Sequence, residues 1–380
     1  MVKTLFDRVK NSVKDLKKYQ PGKGLEDIKD EYELDSVIKM SSNENPWGHS
    51  REIKNMIHKS KKRFYKYPDS DCSCLKKALA NFYNLSRDKI FIGNGSDEII
   101  DLIMSLFVEE GEEVIYADPT FIKYRLAVKS RGGKSIKIPL TEDYVHDLDR
   151  MAAAVTEKTK VIFICDPNNP TGTITIKRQI EEFIDKVPSD VLVVIDQAYY
   201  EYVTNPNYFD GLKSFNRYPN LILLRTFSKI YGLAGLRVGY GLGNSKIIDL
   251  LNRIRSPFNV NTLAQEAAEA ALSDQKHVQK CKNKNKEGKI FLYQSLEDLL
   301  LEYIPTQGNF ILINTGIKAD VIFHKLLNRG IIIRPGNIFG LSNWIRVTIG
   351  REDENKKLIS ALKDVLLTRG EKNDCCNENT

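Results

Sequence analysis

The sequence predicts an α/β protein with a large unit, built on a mostly parallel central sheet, and a smaller α+β unit. Two observations support this prediction. Short, nearly continuous apolar segments alternate with helical segments, which is typical of a parallel sheet covered by helices on both faces. The chain has 380 residues, which exceeds the usual size of one hydrophobic core, so we expect two units.

Several segments have the apolar composition of buried strands or the periodicity of helices. The predicted strands of the large unit are 112–118, 160–165, 191–195, 221–224 and 237–241, and those of the last third are 309–314, 331–336 and 344–350. The predicted helices are 176–187, 319–328 and 351–367. The segment 176–187 illustrates the helical pattern, because its apolar residues recur every three or four positions.

These segments suggest a division of the chain into four parts. Residues 1–44 form an N-terminal arm and part of the small unit, 45–272 the large unit, and 273–368 the small C-terminal unit. The last part, 369–380, is polar, and we predict that it is disordered.

Composition excludes several classes of protein. The chain is 42% apolar and 28% charged with a net charge of +7, which is ordinary for a globular protein. No basic block is interleaved with aromatic residues, so we expect no nucleic-acid binding. No apolar run has the length of a membrane helix and no signal-peptide core is visible, so the cytoplasm is the expected location.

Six cysteines raise the question of a metal site. Cys72 and Cys74 are separated by one residue, and Cys375 and Cys376 are adjacent. Zinc-binding pairs are usually separated by two to four residues. We therefore expect no metal site and no disulfide framework.

Lys229 is the most informative residue of the chain. It follows the predicted strand 221–224 and lies next to Ser228, with Arg237 eight residues downstream. A lysine amine can bond covalently to an aldehyde, and a hydroxyl and a guanidinium can hold a phosphate. Asp196 ends the strand 191–195, where its carboxylate can pair with a pyridinium nitrogen. Together these residues indicate a site for pyridoxal phosphate.

Polar residues also gather at the downstream ends of other predicted strands. These ends lie at one edge of a parallel sheet, where α/β proteins bind ligands. Asn169 lies in a turn of paired asparagines and prolines, from which its carboxamide can reach a cofactor oxygen.

The segment 93–98 offers a second phosphate-binding element. Its glycines allow a tight turn, and Ser96 is a good N-cap for the apolar run that follows. Taken alone, a plain capped helix explains the segment better. Nucleotide-binding motifs are excluded, because Glu98 replaces the third glycine of a dinucleotide fingerprint and Val128 the first glycine of a P-loop.

In order and spacing these motifs resemble the class I/II aminotransferases, which are pyridoxal-phosphate enzymes of fold type I. The shared motifs are 93–98, 119–121, 167–172, 196–199, 228–229 and 235–237. The segments 19–23, 42–46, 66–69, 333–336 and 345–350 narrow the resemblance to histidinol-phosphate aminotransferases. The resemblance covers nearly all of the chain except about the last dozen residues.

The resemblance implies a role for each matching residue. Lys229 would bond to the cofactor and move a proton between substrate and cofactor, with Asp196 on the ring nitrogen. The residues implied to contact the cofactor are Ser96, Asp97, Phe121, Asn169, Asp196, Tyr199, Ser228, Lys229 and Arg237, together with Tyr67 from the neighbouring subunit of a homodimer. The residues implied to contact the substrate are Tyr19, Asn45, Arg334 and Arg346.

The implied reaction is transamination between L-glutamate and imidazole-acetol phosphate, giving L-histidinol phosphate and 2-oxoglutarate in histidine biosynthesis. An aromatic or broad-range aminotransferase and a phosphothreonine decarboxylase-like enzyme are the enzymatic alternatives. A sensory module of a regulator would need a fused DNA-binding domain, and none is visible.

Three residues depart from the pattern of the family. Gln197 stands where a glutamate is usual, and it either supports a local network or alters the tuning of Asp196. Phe121 replaces a tyrosine of some members and keeps only ring stacking. Trp47 replaces a smaller residue and is expected to narrow the substrate entrance.

Overall fold

The computed structural model of the protein describes residues 5–14, 29–32, 34, 36–59 and 65–367. Within these residues the strands fall into three sheets. The strands are β1 (Ile38–Lys39), β2 (Ile90–Gly93), β3 (Glu113–Asp118), β4 (Lys134–Pro139), β5 (Thr159–Cys165), β6 (Leu192–Asp196), β7 (Leu221–Thr226), β8 (Gly239–Gly243), β9 (Glu302–Ile304), β10 (Phe310–Asn314), β11 (Ile331–Ile332), β12 (Arg334–Pro335) and β13 (Trp344–Thr348).

The central sheet has seven strands in the order β2-β8-β7-β6-β5-β3-β4. The neighbours from β7 to β4 are all parallel, and β8 alone runs against the other strands. The prediction of a mostly parallel central sheet is therefore confirmed. Parallel strands place their carboxyl ends at one edge, which brings the residues after β5, β6 and β7 together.

Helices connect and cover these strands. Among the described residues, the α-helices of four residues or more are Asn11–Lys14, Arg51–Lys59, Ser73–Tyr83, Gly95–Phe107, Ile122–Arg131, Leu148–Ala153, Lys177–Lys186, Ser245–Ile254, Thr262–Ser273, Gln275–Asp298, Ala319–Leu327 and Glu352–Leu367.

The core lies on both faces of the central sheet. Ile162 and Ile164 of β5 belong to one buried apolar cluster, whereas Val161 and Phe163 of the same strand belong to another. Successive side chains of a strand point to opposite faces, so the two clusters are the two sides of the sheet. This burial of both faces explains why the strand segments are almost wholly apolar.

The smaller sheets belong to the last third of the chain. Four antiparallel strands are ordered β12-β13-β10-β9, and β1 pairs in parallel with β11. A third apolar cluster packs around this sheet, and it includes Met40 together with residues of helices Gln275–Asp298, Ala319–Leu327 and Glu352–Leu367. This arrangement confirms the smaller α+β unit, while the predicted domain boundaries stay predictions.

Two predicted strands differ from the structure. The segment 331–336 is not one strand, because Ile331–Ile332 pairs with β1 and Arg334–Pro335 pairs with β13. The segment 237–241 is displaced, since Arg237 has a left-handed backbone (φ 54°) and the strand begins at Gly239. The predicted tail 369–380 lies outside the described residues.

Among the described residues, none of the helices combines the length and the apolar character that crossing a membrane requires.

Candidate active site

A cavity of about 230 Å³ lies at the carboxyl edge of the central sheet, against the smaller sheet. It contains most of the chemically reactive residues that the sequence singles out. Its walls are formed by Ser42, Asn43, Ser96, Asp97, Phe121, Ile122, Cys165, Asn169, Asp196, Ala198, Tyr199, Thr226, Ser228, Lys229, Arg237, Arg334, Ile338, Phe339 and Arg346.

Lys229 supplies the amine of this cavity. It follows β7 by three residues, and its Nζ donates a hydrogen bond to the backbone oxygen of Ser42 at 3.1 Å. Burial is the main cause that lowers the pKa of Lys229 to about 8, and repulsion from the Arg346 guanidinium is the next largest. A larger fraction of the amine is therefore neutral near pH 8 than for an ordinary lysine, and the neutral form is the nucleophile.

Asp196 supplies a buried carboxylate on the same wall. It is the last residue of β6 and is 2% exposed. One oxygen accepts from the Tyr124 hydroxyl at 2.9 Å, and the other accepts from the backbone N–H of Ala198 at 3.2 Å. Burial raises the pKa of Asp196 to about 6, because the charged form loses its hydration.

The amino end of helix Gly95–Phe107 meets Arg237 at another part of the wall. Nη1 of Arg237 donates to the Ser228 hydroxyl at 3.2 Å, and its Nη2 lies 3.2 Å from the Asp97 carboxylate. A Cβ at Gly95 would lie 2.6 Å from Arg237 Nη2, so only glycine lets the helix end approach the guanidinium this closely. Helix N–H groups, a hydroxyl and a guanidinium form a site for a phosphate group.

The start of this helix corrects one expectation. Ser96 is not the N-cap, because the helix begins at Gly95 and Asn94 occupies the cap position. The Glu98 carboxylate reaches back and accepts from the Asn94 backbone N–H at 2.5 Å. Ser96 therefore lies in the first turn, where its backbone N–H still faces the cavity end of the helix.

Arg346 and Asn169 are hydrogen-bonded to each other on the cavity wall. Nη1 of Arg346 donates to Oδ1 of Asn169, and Nη2 donates to the backbone oxygen of Ser41 at 2.6 Å. Because the Asn169 oxygen accepts from the arginine, its amide nitrogen remains a donor. The Tyr199 hydroxyl accepts from Asn43 Nδ2 at 2.9 Å, so its own hydrogen also remains available for donation.

Arg334 lies directly opposite Arg346 on adjacent antiparallel strands, and both side chains line the cavity. Within the described part of the chain, no hydrogen bond or ion pair of the Arg334 side chain is found. Like charges on directly opposite residues repel each other. The pair therefore favours a ligand that carries negative charge.

The structure does not bring every candidate to this cavity. The carboxamide of Asn45 is occupied by the backbone oxygens of Gly48 and Ile230, at 3.0 and 2.7 Å. Tyr67 is 82% exposed and stacks on Phe258 with ring centroids 4.5 Å apart, away from the cavity walls. Trp47 packs against the core and does not line the cavity. Tyr19 lies outside the described residues.

Gln197 faces away from the cavity. Its Oε1 accepts two hydrogen bonds from Arg225, at 3.0 and 2.9 Å, and its Nε2 donates to the backbone oxygen of Phe209 at 2.7 Å. Gln197 and Arg225 are both fully buried. Of the two roles left open by the sequence, this geometry favours support of a local network.

Sequence reasoning gave no role to several residues that bound or support the cavity, among them Ser42, Asn43, Cys165 and Tyr124. Tyr124 lies behind Asp196 rather than in the wall. Ser42 and Asn43 lie in the segment 42–46 that carries part of the resemblance, but the contacts of Asn43 and Tyr124 are made only through the fold. Asn43 contacts Tyr199 across 156 positions, and Tyr124 contacts Asp196 across 72.

Among the described residues, no three His, Cys, Asp or Glu side chains are grouped so that they could hold a metal ion. Cys72 is buried and Cys74 is exposed, and both are free thiols.

Comparison with known proteins adds the family context. The sequence model of the family "Aminotransferase class I and II" matches residues 35–362. Histidinol-phosphate aminotransferase of Caldicellulosiruptor saccharolyticus is 47% identical over 93% of this chain and 99% of that protein. The enzyme of the same name from Moorella thermoacetica is 45% identical, over 94% of this chain and 93% of that protein.

A solved structure is also similar. The crystal structure of histidinol-phosphate aminotransferase from Sinorhizobium meliloti in complex with pyridoxal-5'-phosphate superposes with a TM-score of 0.88 at 28% identity. The match covers 96% of this chain and 98% of that chain.

Proposed function

Because the chain belongs to the class I and II aminotransferases, and among them to the histidinol-phosphate aminotransferases, we propose that it transfers an amino group from L-glutamate to imidazole-acetol phosphate. The products are 2-oxoglutarate and L-histidinol phosphate, an intermediate of histidine biosynthesis. The observation that carries this proposal is the grouping of one amine, one buried carboxylate and three guanidinium groups in a single cavity.

The residues of the cavity fit pyridoxal phosphate as the cofactor. The group needs an amine for its aldehyde, an acid for its ring nitrogen and an anion site for its phosphate. Lys229, Asp196 and the Arg237 end of helix Gly95–Phe107 supply these in one cavity. Phe121 lines the same cavity as the candidate for stacking on the ring. The remaining donors of Asn169 and Tyr199 suit the ring oxygen.

When bound, pyridoxal phosphate would supply an aldehyde carbon that carries the amino group between the two substrates and an electron-withdrawing ring that makes the Cα proton more acidic. The protein controls where protons reside. Nζ of Lys229 takes the proton from Cα of the amino donor, which requires the neutral amine that its lowered pKa provides. The Asp196 carboxylate would keep the ring nitrogen of the bound cofactor protonated, which maintains the electron-withdrawing power of the ring.

The two opposed arginines orient the substrates. Arg346 is fixed by Ser41 and Asn169, and it binds the α-carboxylate of the amino donor. Arg334 lies opposite it and binds the distal carboxylate of glutamate or the phosphate of the acceptor. One cationic position thus serves both substrates, since a guanidinium binds carboxylate and phosphate in the same forked geometry.

Steady-state rates with different acceptors test the assignment. We expect imidazole-acetol phosphate to be the best acceptor, with L-glutamate as donor, and aromatic keto acids such as phenylpyruvate to be slower. A preference for phenylpyruvate would replace this function with that of an aromatic aminotransferase. Release of carbon dioxide from phosphothreonine would indicate a decarboxylase.

We further propose that the active protein is a cytoplasmic homodimer in which Tyr67 of one subunit reaches the cofactor phosphate of the other. The exposure of Tyr67 beside Phe258, away from the cavity of its own chain, supports this proposal. Mixing inactive Lys229→Ala subunits with impaired Tyr67→Ala subunits tests it. A mixed dimer would hold one site with both residues intact and regain activity, whereas a site within one chain would gain nothing.

A further inference from the structure

Tyr124 lies behind the cavity and contacts two of the residues that face it. Its hydroxyl donates to Oδ2 of Asp196 at 2.9 Å. Its ring meets the ring of Phe121 edge-on, with centroids 5.7 Å apart and planes at 89°. One side chain therefore touches both the carboxylate at one cavity wall and the aromatic ring at another.

The ring of Tyr124 is held firmly in the core. It has no solvent exposure and stacks on Phe163, with centroids 4.5 Å apart and planes at 11°. Phe163 belongs to β5, which pairs with the strand that ends in Asp196. The sheet itself thus fixes the hydroxyl relative to the carboxylate, and little rotamer freedom remains to be lost.

Asp196 needs such a donor because its surroundings oppose its charge. Burial raises the pKa of Asp196, and the hydrogen bond from Tyr124 acts in the opposite direction. A hydroxyl that donates to a carboxylate stabilises the charged form of the acid. Without that bond a larger fraction of Asp196 would be neutral, and a neutral acid cannot pair with a protonated ring nitrogen.

We propose that Tyr124 is a positioning residue for the cofactor: its hydroxyl holds Asp196 aligned and ionised against the ring nitrogen, and its ring supports Phe121. The proposal rests on the function stated above, since it assigns a role toward pyridoxal phosphate. Tyr124 does not line the cavity, so it acts through these two neighbours.

Other titratable groups surround Asp196 and must be considered in any pH profile. They are Cys165, Tyr199, Lys229, Asp97 and Tyr124 itself. Burial raises the pKa values of Cys165, Tyr199 and Tyr124 above their usual range, so these three stay neutral at physiological pH. Lys229 changes charge near pH 8, above the range in which Asp196 titrates.

The test is a double-mutant cycle on the affinity of the cofactor-free protein for pyridoxal phosphate. Binding is measured by the quenching of protein fluorescence. The variants are Tyr124→Phe, Asp196→Asn and the combination of both. Tyr124→Phe keeps the ring and removes the hydroxyl alone. Tyr116→Phe is the matched control, because Tyr116 is a buried tyrosine of the same cluster whose ring lies 6.3 Å from that of Tyr124.

We expect Tyr124→Phe to weaken cofactor binding about tenfold at pH 7, the effect of one hydrogen bond to a charged group. On acidification, the affinity of Tyr124→Phe should begin to fall at a pH up to about one unit higher than that of the unmodified protein. The reason is that the pKa of Asp196 rises when the donor is lost. In the Asp196→Asn background the same substitution should change the affinity less than about twofold. Tyr116→Phe should bind like the unmodified protein.

Three results would overturn the inference. Equal losses from Tyr124→Phe with and without Asp196 would show that the hydroxyl acts elsewhere. An unchanged affinity and pH profile in Tyr124→Phe would show that it has no positioning role. If the unmodified protein failed to bind pyridoxal phosphate, the proposed function and this inference would both fall. If the unmodified protein binds pyridoxal phosphate normally, a failure of the Tyr124→Phe prediction counts against this inference alone and leaves the proposed function standing.

Discussion

Arg334 and Arg346 lie directly opposite each other on antiparallel strands β12 and β13, with both side chains in the walls of one cavity. Arg346 is fixed by hydrogen bonds to Asn169 and to the backbone of Ser41. Two opposed guanidinium groups are costly unless anions bind between or beside them. The register of one pair of strands thus sets two guanidinium groups in the cavity wall, where they can bind the carboxylates of the proposed donor and the phosphate of the proposed acceptor.

Arg334→Ala should separate phosphorylated from unphosphorylated acceptors. Loss of a charge-assisted bond should lower kcat/KM for imidazole-acetol phosphate by about 100-fold and for phenylpyruvate by about threefold or less. Steady-state kinetics with both acceptors measures the difference. Arg334→Lys is the control, since it keeps the positive charge and loses the forked guanidinium. Its kcat/KM for imidazole-acetol phosphate should lie between those of the unmodified protein and Arg334→Ala. Equal losses for both acceptors would remove Arg334 from phosphate binding.

The lowered pKa of Lys229 predicts how fast the cofactor-free protein captures pyridoxal phosphate. Only the neutral amine attacks the aldehyde, and burial favours the neutral form above a pKa of about 8. The rate of capture, followed by stopped-flow absorbance, should rise with pH through about 8 and then level off. A rate that kept rising up to the ordinary lysine pKa of about 10.4 would contradict the burial of this amine.

Asp196→Asn should stabilise the cofactor-free protein while weakening cofactor binding. Burial raises the pKa of Asp196 from 3.8 to about 6. Above pH 6 the ionised carboxylate is therefore less stable in the folded protein than in the unfolded chain, where water hydrates it freely. That difference is about 3 kcal/mol. Urea unfolding at pH 8 should show the gain, and below pH 3.8 the gain should fade, because the acid is then largely protonated in both the folded and the unfolded chain. A loss of stability at pH 8 would refute this reasoning.

Gln197 offers a test of the network behind the site. Gln197→Leu should destabilise the protein by about 3 kcal/mol, because the buried Arg225 guanidinium loses the acceptor of two hydrogen bonds. Gln197→Glu is the matched variant: it keeps both bonds from Arg225 but loses the donor to the Phe209 backbone oxygen, so it should lose less stability than Gln197→Leu and keep near-normal kcat. Denaturant unfolding and steady-state rates measure the two effects. If Gln197→Glu lost activity at unchanged stability, residue 197 would instead be tuning Asp196.

The sequence predicts the parts of this fold that follow from local pattern. Lys229 and Asp196 are recognisable because each follows a short apolar strand, and parallel strands carry such residues to the same edge. The edge strand β4 is missed because its lysines, at 134 and 137, interrupt the apolar pattern. The segment 331–336 is predicted as one strand because local pattern cannot show that its two ends pair with different sheets.

The contacts that position the site are not local. Tyr124 is an ordinary helical residue in the sequence, and its hydrogen bond to Asp196 exists only because the fold brings helix Ile122–Arg131 close to the end of β6. Asn43 gives no sign of its contact with Tyr199 for the same reason. Chemical groups can thus be found from strand ends, whereas their supporting partners require the tertiary structure.

The most direct test of the account is to locate the lysine that bears the cofactor. Borohydride reduction of the purified protein fixes the bond between the aldehyde and its amine, and mass spectrometry of the digest identifies the modified residue. We expect one pyridoxyl group per chain, on Lys229, and loss of the visible absorbance together with the activity. A group on any other lysine, or full activity in Lys229→Ala, would contradict the assignment.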